Sequence, residues 1–426
     1  MPDKRVRPRV IIVGGGFGGL AAARALRTAN VDVTLIDRTN HFIFQPLLYQ
    51  VATAALAPSD ITAPIRWILR HQRNAEVFMA EVREVDPGRR VVKVDAAMRE
   101  IAYDYLIVAT GSRHAYFGHN EWEPYAPGLK AIEDASEIRR RFLLAFENAE
   151  KSTDPVEQQE YLTFVIVGGG PTGVELAGAF PFIARKALAP DFRRIDTRKT
   201  RVILVEAGAR ILPTFPEQLA AHAARDLADL GVEVRVNSFV TNVEADGVRV
   251  GAETIRARNA FWAAGNLASP VGKFLDAPLD RAGRIQVKPD LSVPDHPEVF
   301  AIGDLAALTQ DGRPVPGVGP AAIQEGKSAA KNIRRDLKGK ARKDFRYWNK
   351  GDLAVIGRSR AIADLGWIRF TGLFAWVFWL FVHIMYLVGF RNRVLVLLGW
   401  AYAYFTNQSG VRLITDVERY KAPPLK

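Results

Sequence analysis

The chain has 426 residues, enough for two or three domains that each bury a core of their own. Its formal net charge of +12 indicates a polyanionic partner, which is either nucleic acid or an anionic membrane surface. The absence of cysteine excludes disulfides, thiolate metal sites, iron–sulfur clusters and every redox mechanism that uses a pair of thiols.

The first predicted unit is a strand from Arg9, a turn with Gly14, Gly16 and Gly19, a helix over 20–29 and a strand that ends at Asp37. Glycines in such a turn let the backbone approach a pyrophosphate, and the helix N-terminus favours negative charge. The acid lies 23 residues after the first glycine, close to the roughly 20 expected for a carboxylate that binds ribose hydroxyls. The sequence therefore predicts a dinucleotide site here.

The segments that follow lead to a second copy of this pattern. Residues 40–61 are apolar and turn-rich, 77–94 predict a β-meander, and 105–111 predict a strand. Residues 116–127, rich in Gly, Pro and Trp, predict a crossing between domains, and 135–150 predict an amphipathic helix.

The second copy reads FVIVGGGPTGVE and carries Gly168, Gly170 and Gly173, with Glu175 at the start of the helix. Its ribose acid is Glu206, at the end of the strand RVILVEA. A carboxylate there would repel a 2′-phosphate, which favours NADH over NADPH, although Arg210 lies close enough in sequence to weaken the preference.

Equal spacing in the two copies predicts an internal repeat. Gly14 lies 97 residues before Gly111 of ATG, and Gly168 lies 97 residues before Gly265 of WAAG. The strand PEVFAIGD and a helix from Pro320 follow the second domain in sequence, and we predict that they complete the first domain. We predict an α/β fold of two Rossmann-like domains, one inserted in the other, that bind FAD and a nicotinamide cofactor.

The predicted boundaries are 1–118 and 268–340 for the FAD-binding domain, 119–267 for the NADH-binding domain, and 341–426 for a C-terminal region that anchors the protein to a membrane and contributes to dimerisation. Within that last region, 370–390 is an apolar run of 21 residues and 394–405 is a second one. The first run allows a transmembrane span, a buried core helix or an amphipathic pair in one leaflet. Arginines between the runs and nearby tryptophans favour the in-plane anchor.

The motifs GGGFGG, FQPLLYQVATA, ATG, VGGGPTGVELAGA, FWAAG and VFAIGD resemble those of type II NADH dehydrogenases, over most of the chain. The resemblance implies a single-chain FAD enzyme that passes electrons from NADH to a membrane quinone without pumping protons. It also implies a homodimer on the cytoplasmic face of the bacterial inner membrane, monotopic rather than spanning. The chain departs from the family motif at Pro320, which replaces a glutamine and leaves Gln324 as the amide for quinone binding.

The resemblance and the motifs together predict the site residues. Glu175 is the candidate catalytic residue, which positions the nicotinamide or relays a proton. The set for FAD is Gly14, Gly16, Phe17, Gly18, Gly19, Asp37, Arg38, Val82, Thr110, Gly111, Asp304, Ala321 and Ala322. The set for NADH is Gly168, Gly170, Pro171, Thr172, Gly173, Glu206, Ala264 and Gly265. The set for quinone is Gln45, Gln50, Ile323 and Gln324, and the seven histidines lack the pair spacing of a metal site.

Two other functions stay open at this stage. A soluble reductase of the same architecture would deliver electrons to a ferredoxin-like protein, but it would have no use for the C-terminal apolar run. A flavin-bound regulator would use NADH as a signal, and the positive charge agrees weakly with nucleic-acid binding, yet no nucleic-acid motif is present.

Overall fold

The computed structural model describes residues 7–408 and 410–415. Residues 1–6 of the predicted FAD-binding domain, and residues 409 and 416–426 of the predicted C-terminal region, lie outside the described residues.

The helices, in chain order, are α1 Phe17–Ala25, α2 Leu48–Ala52, α3 Pro58–Ile61, α4 Ile65–Leu69, α5 Ile132–Lys151, α6 Pro155–Tyr161, α7 Pro171–Phe182, α8 Glu217–Asp229, α9 Gly319–Asp336, α10 Gly372–Tyr386 and α11 Phe390–Thr406. The strands are β1 Arg9–Val13, β2 Asp32–Asp37, β3 His41–Ile43, β4 Thr62–Pro64, β5 Ala75–Met79, β6 Val82–Asp86, β7 Val91–Val94, β8 Arg99–Ala102, β9 Tyr105–Val108, β10 Ser112–His114, β11 Thr163–Val167, β12 Arg201–Val205, β13 Val232–Arg235, β14 Val240–Glu244, β15 Gly247–Val250, β16 Glu253–Arg256, β17 Asn259–Trp262, β18 Asn266–Ala268, β19 Ile285–Gln286, β20 Ser292–Val293, β21 His296–Ala301, β22 Ala306–Ala307, β23 Thr309–Gln310, β24 Arg313–Pro314, β25 Asp352–Gly357, β26 Arg360–Asp364 and β27 Arg369–Thr371.

Two compact units, both discontinuous in sequence, make up the chain. Of the described residues, the first unit comprises 7–42, 63–113 and 266–350, and the second comprises 43–62, 114–265, 351–408 and 410–415. The assignment of sequence domains to FAD, NADH and membrane stays a prediction.

A six-stranded sheet in the order β20-β21-β9-β1-β2-β5 forms the centre of the first unit. Strand β1 is parallel to both neighbours, with Ile11 opposite Thr34 of β2 and Leu106 of β9. Strand β1 is apolar from its second residue to its last because both faces of a parallel sheet are covered, and these residues are buried here.

The second unit contains a parallel sheet in the order β13-β12-β11-β17. All five residues of β11 are buried. A further antiparallel sheet, β25-β26-β27, belongs to the same unit.

The two units repeat one topology, which confirms the predicted internal repeat. In each, the strand before the glycine turn lies between the strand that ends in the acid and the strand that closes the 97-residue interval. In each, an antiparallel meander precedes that closing strand: β6-β7-β8 in the first unit and β14-β15-β16 in the second.

Several predicted boundaries need correction. The predicted meander over 77–94 begins instead at Val82 and continues to Ala102, because β5 pairs with β2 in the parallel sheet. The helix predicted over 20–29 is α1, which begins inside the glycine turn at Phe17. The helix predicted over 135–150 extends from 132 to 151, since the Asp134 carboxylate accepts the N–H of Ala131 at its first turn.

The apolar run over 370–390 is not one helix. Its first residues belong to β27, helix α10 ends at Tyr386, and α11 begins at Phe390 after Gly389, whose φ is +90°. Among the described residues, no helix has the length and hydrophobicity needed to cross a bilayer.

Candidate active site

Both glycine turns have the same hydrogen-bonded geometry. Gly14 adopts φ +105° and its N–H donates to the Ile36 carbonyl at 2.8 Å. Gly168 adopts φ +111° and its N–H donates to the Val205 carbonyl at 2.8 Å. Because a side chain at either φ is strained, the first glycine of each turn is a conformational requirement.

The other glycines of the turns fall into two kinds. A Cβ on Gly19 would lie 1.8 Å from the Gly14 carbonyl oxygen, and a Cβ on Gly173 would lie 1.9 Å from the Gly168 carbonyl oxygen. The lack of a side chain at Gly19 and Gly173 therefore allows each helix to pack closely on its turn. A Cβ on Gly16 or Gly170 would meet no protein atom within 4 Å. Open space beside a helix N-terminus fits the pyrophosphate of a dinucleotide.

The two predicted ribose acids also hold their glycine turns. One Asp37 oxygen accepts the N–H of Gly15 at 2.6 Å, and one Glu206 oxygen accepts the N–H of Gly169 at 2.5 Å. The second Glu206 oxygen accepts the N–H of Gly208 at 2.6 Å. Each acid is thus oriented by backbone donors beside its glycine turn, a second role that spacing alone does not indicate.

Polar groups elsewhere in the first unit also fit a bound FAD. The Thr110 hydroxyl is buried and has no hydrogen-bond partner in the described part of the chain. Gly111 has φ +66° and open space where a side chain would project. The Asp304 carboxylate accepts a hydrogen bond from the Ser112 hydroxyl at 2.7 Å, which orients it. A buried hydroxyl without a partner and an open glycine are features that a bound flavin would complete.

The remaining predicted FAD residues line these elements with different exposures. Phe17 packs edge-on against Phe42 with 5.1 Å between ring centroids. Gly18, Ala321 and Ala322 are buried, Val82 is partly buried, and Arg38 is exposed.

The amide of Gln324 is already hydrogen-bonded on both sides. Its nitrogen donates to the Trp348 carbonyl at 3.0 Å, and its oxygen accepts the N–H of Trp348 at 3.0 Å. Ile323, beside it on α9, is partly buried. The amide nitrogen carries a second N–H, so a quinone oxygen can accept from it while both bonds to Trp348 remain.

Glu175 lies in α7 of the second unit in a partly buried position. Burial raises the pKa of its carboxyl to about 8, although a hydrogen bond from the Val355 N–H acts in the opposite direction. Strand β25, which carries Val355, comes close because position 178 is glycine: a Cβ there would lie 1.6 Å from the Ile356 carbonyl oxygen. The carboxyl is therefore mostly protonated near neutral pH.

A buried polar chain lies beside Glu175. Burial, and next the charge of Glu175, raise the pKa of Tyr49. The Gln50 nitrogen donates to the Tyr49 hydroxyl at 3.0 Å, and the Gln50 oxygen accepts the indole N–H of Trp400 at 2.6 Å. Gln50 thus links α2 to the C-terminal helix α11. The other predicted quinone residue of this unit, Gln45, is exposed and donates to the Lys130 carbonyl at 3.3 Å.

Aromatic rings of the C-terminal helices continue this cluster. Trp379 is 1% exposed, stacks on His383 at 3.9 Å between ring centroids, and contacts Tyr49 and Trp400. Burial lowers the pKa of His383 to about 4, so the imidazole is neutral under ordinary conditions. The Trp379 indole N–H has no hydrogen-bond partner among the described residues.

The other predicted NADH residues surround the second turn. Pro171 is the first residue of α7, where its missing N–H costs nothing, and Thr172 is partly buried. Ala264 is partly buried, and Gly265 has φ +72°, where a Cβ would lie 2.5 Å from the ring of Phe117.

The predicted site residues divide between the two units. The FAD set, Ile323 and Gln324 belong to the first unit, whereas the NADH set, Glu175, Gln45 and Gln50 belong to the second. Sequence reasoning missed Ser112, Tyr49 and Trp400. Tyr49 lies in the quoted FQPLLYQVATA motif, but nothing in the sequence links Trp400 to Gln50, 350 residues earlier.

Known proteins resemble this chain over almost its whole length. Residues 8–326 match the family model of the pyridine nucleotide-disulphide oxidoreductases, and residues 349–409 match that of the NDH2 C-terminal domain. The chain is 42% identical to the type II NADH:quinone oxidoreductase Ndh of Mycobacterium tuberculosis, over 97% of this chain and 92% of that protein. It is 44% identical to NdhA of the same organism, over 96% and 90% respectively.

Among solved structures, NDH2 from Plasmodium falciparum in complex with NADH has the same fold. The TM-score is 0.86 at 21% identity, covering 94% of this chain and 99% of that one.

Proposed function

This chain belongs to the type II NADH:quinone oxidoreductases, and we propose that NADH binds at the 168–173 turn and that Glu175 provides the carboxyl that handles protons for the quinone. The observation that carries this proposal is the protonated, partly buried carboxyl of Glu175 beside Tyr49. As a family member, the chain is a non-proton-pumping, FAD-dependent enzyme that oxidises NADH and reduces a quinone. The chemistry that bound FAD would supply is acceptance of a hydride from NADH and transfer of the electrons to a quinone.

The second turn supports the placement of NADH. The space beside Gly170, at the N-terminus of α7, suits a pyrophosphate because the helix dipole and free N–H groups favour negative charge. The Glu206 carboxylate is held by two backbone N–H groups next to this turn. A fixed carboxylate accepts hydrogen bonds from ribose hydroxyls and repels a 2′-phosphate, so NADH is preferred over NADPH.

Quinone reduction consumes protons, and Glu175 is suited to supply one. A carboxyl with a pKa of about 8 is mostly protonated at pH 7 and can donate a proton or a hydrogen bond to a quinone oxygen. Tyr49 lies close enough to Glu175 for the charge of that carboxyl to raise its pKa, and Gln50 connects the Tyr49 hydroxyl to the Trp400 indole. Gln45, Ile323 and Gln324 are the other proposed quinone residues, and Pro320 cannot replace the amide found in the family motif.

The C-terminal helices support a monotopic attachment to the membrane. As a family member, the chain is a membrane-associated enzyme. Phe374, Phe390 and Phe405 are each more than 80% exposed on α10 and α11, and Leu398 is 61% exposed. An apolar surface of this kind is stable when it is buried in a leaflet.

The two arginines in the first turn of α11 have different environments. Arg391 is exposed, donates to the side-chain oxygen of the adjacent Asn392 at 3.4 Å, and would face lipid phosphates. Arg393 instead donates to the carbonyls of Met385 and Leu387 at 2.9 Å each, and so caps the end of α10. The attachment surface we propose is the cytoplasmic face of the bacterial inner membrane, with an anionic lipid surface, and the assembly we propose is a homodimer.

Glu175→Gln tests the catalytic proposal. Rapid mixing of the purified enzyme with NADH and then with a soluble quinone measures flavin reduction and flavin reoxidation separately. We expect reoxidation by quinone to slow at least about tenfold, with less effect on reduction by NADH. The exposed Glu217→Gln is the matched control. Unchanged rates in both half-reactions would refute the role of Glu175.

A further inference from the structure

A second buried carboxyl, Glu325, lies in the first unit next to the predicted flavin residues. It belongs to α9, is 3% exposed, and accepts a hydrogen bond from the N–H of Gly303. Gly303 adopts φ +70° and directly precedes Asp304. The carboxyl of Glu325 therefore stabilises the Gly303 turn, which positions Asp304.

The neighbouring Gly326 brings the same part of α9 against the first glycine turn. A Cβ on Gly326 would lie 2.2 Å from the Gly18 carbonyl oxygen. A Cβ on Gly18 would in turn lie 3.0 Å from Ile302, the residue before Gly303. One segment of α9 thus contacts both turns of the flavin site, and little room remains for either turn to shift.

The charge state of Glu325 is coupled to that of Asp304. Burial, and next the negative charge of Asp304, raise the pKa of Glu325 to about 7, while the Gly303 N–H lowers it. Asp304 is the charged group that faces Glu325 in the part of the chain described. Above this pH the fold has to keep two carboxylates close together, one of them buried, which is unfavourable.

We propose that Glu325 is a positioning residue of the flavin site: its carboxyl holds the Gly303–Asp304 turn, and its ionisation in alkaline solution loosens FAD because it places a second negative charge beside Asp304. The inference rests on the FAD site of the first unit and adds a residue that the motifs did not assign. The pyrophosphate of bound FAD is negatively charged, so its field would favour the neutral form of a carboxyl in the same site. By linkage, protons and FAD then bind together, so the affinity for FAD decreases as the pH rises.

The test is FAD retention by the holoenzyme in detergent, measured by equilibrium dialysis and flavin fluorescence between pH 6 and pH 8.5. For the natural chain we expect the Kd for FAD to rise about tenfold over this range. Glu325→Gln keeps an oxygen that can accept the Gly303 N–H, so it should bind FAD with a Kd that changes little with pH. Glu217→Gln, on the exposed surface, should behave as the natural chain does.

A flat Kd in the natural chain, or an unchanged pH dependence in Glu325→Gln, would overturn the proposal. Failure of the FAD site itself would look different, because the natural chain would then bind no FAD even at pH 6. Glu325→Ala removes the acceptor altogether, and its apo form should unfold at a lower temperature than that of Glu325→Gln if the carboxyl holds the turn.

Discussion

Glu175 and Glu206 are carboxylates of the same unit with contrasting surroundings. Glu206 accepts two backbone N–H groups at a turn, so its position is determined by hydrogen bonds. Glu175 is stabilised in its neutral form by burial, with one N–H acting against that. The same residue type is therefore held in place by backbone donors at one position and kept neutral by burial at the other, where we propose that it donates a proton.

The raised pKa of Glu175 predicts how stability depends on pH. Its folded-state pKa of about 8 lies above the ordinary glutamate value of 4.5, so the folded state binds more protons between these two pH values. The contribution is fully present below pH 4.5 and is lost as pH rises through 8. Glu175→Gln should therefore stabilise the protein at pH 9 by about 1–3 kcal/mol, after allowance for partial exposure, and have little effect at pH 5.

Thermal or urea unfolding at pH 5 and pH 9 measures this difference in free energy. Glu217→Gln is the control and should leave the free energy of unfolding unchanged at both values. Equal effects of Glu175→Gln at pH 5 and pH 9 would contradict a buried, titrating carboxyl.

At the scale of elements, each strand–turn–helix unit was predictable because its requirements are local. The apolar run of β11, the left-handed turn at Gly168 and the helix after Gly170 follow from properties of adjacent residues. The error at 77–94 has a different origin. Whether β5 joins a meander or the parallel sheet depends on pairing with β2, about 40 residues away. The sequence of β5 alone does not determine which of the two it joins.

Two glycines of the second turn should respond differently to substitution by alanine. Gly168→Ala combines φ +111° with a contact of 2.7 Å to the backbone of Ala263, so it should destabilise the fold by about 2 kcal/mol or more. Gly170→Ala meets no protein atom and should leave stability nearly unchanged, while it weakens NADH binding about tenfold because the new methyl group occupies the space of the pyrophosphate.

Denaturant unfolding and NADH titration of the two variants measure these effects. Gly16→Ala, the equivalent change in the first turn, is the matched control and should weaken FAD retention while unfolding normally. Normal NADH affinity in Gly170→Ala would show that the pyrophosphate of NADH does not bind at this turn.

For the whole molecule, the apolar face of α10 and α11 should decide membrane attachment independently of chemistry. We expect the triple variant Phe374→Asp, Phe390→Asp and Phe405→Asp to bind vesicles at least about 100-fold more weakly. Each exposed phenylalanine ring that is removed takes away roughly 1.5–3 kcal/mol of the free energy gained when the ring is buried in the leaflet. Its rate with a soluble quinone should stay near that of the natural chain.

Vesicle sedimentation and NADH oxidation with a soluble quinone measure the two properties. The control carries Phe239→Asp and Val156→Asp, which replace apolar side chains that are 67% exposed outside the C-terminal helices. If the control lost as much vesicle binding as the triple variant, the attachment surface would not be the one proposed.

The sequence by itself determined the features that depend on neighbouring residues and on counting. These are the two glycine turns, the acids at the ends of β2 and β12, the 97-residue repeat and the absence of thiol chemistry. Only the tertiary structure decided which side chains meet across long separations. It joined Gln50 to Trp400, set Glu325 behind Gly303 and divided the 370–390 run between a strand and two helices. Such contacts depend on how buried surfaces pack, and burial is also what separates the pKa of Glu175 from that of an ordinary glutamate.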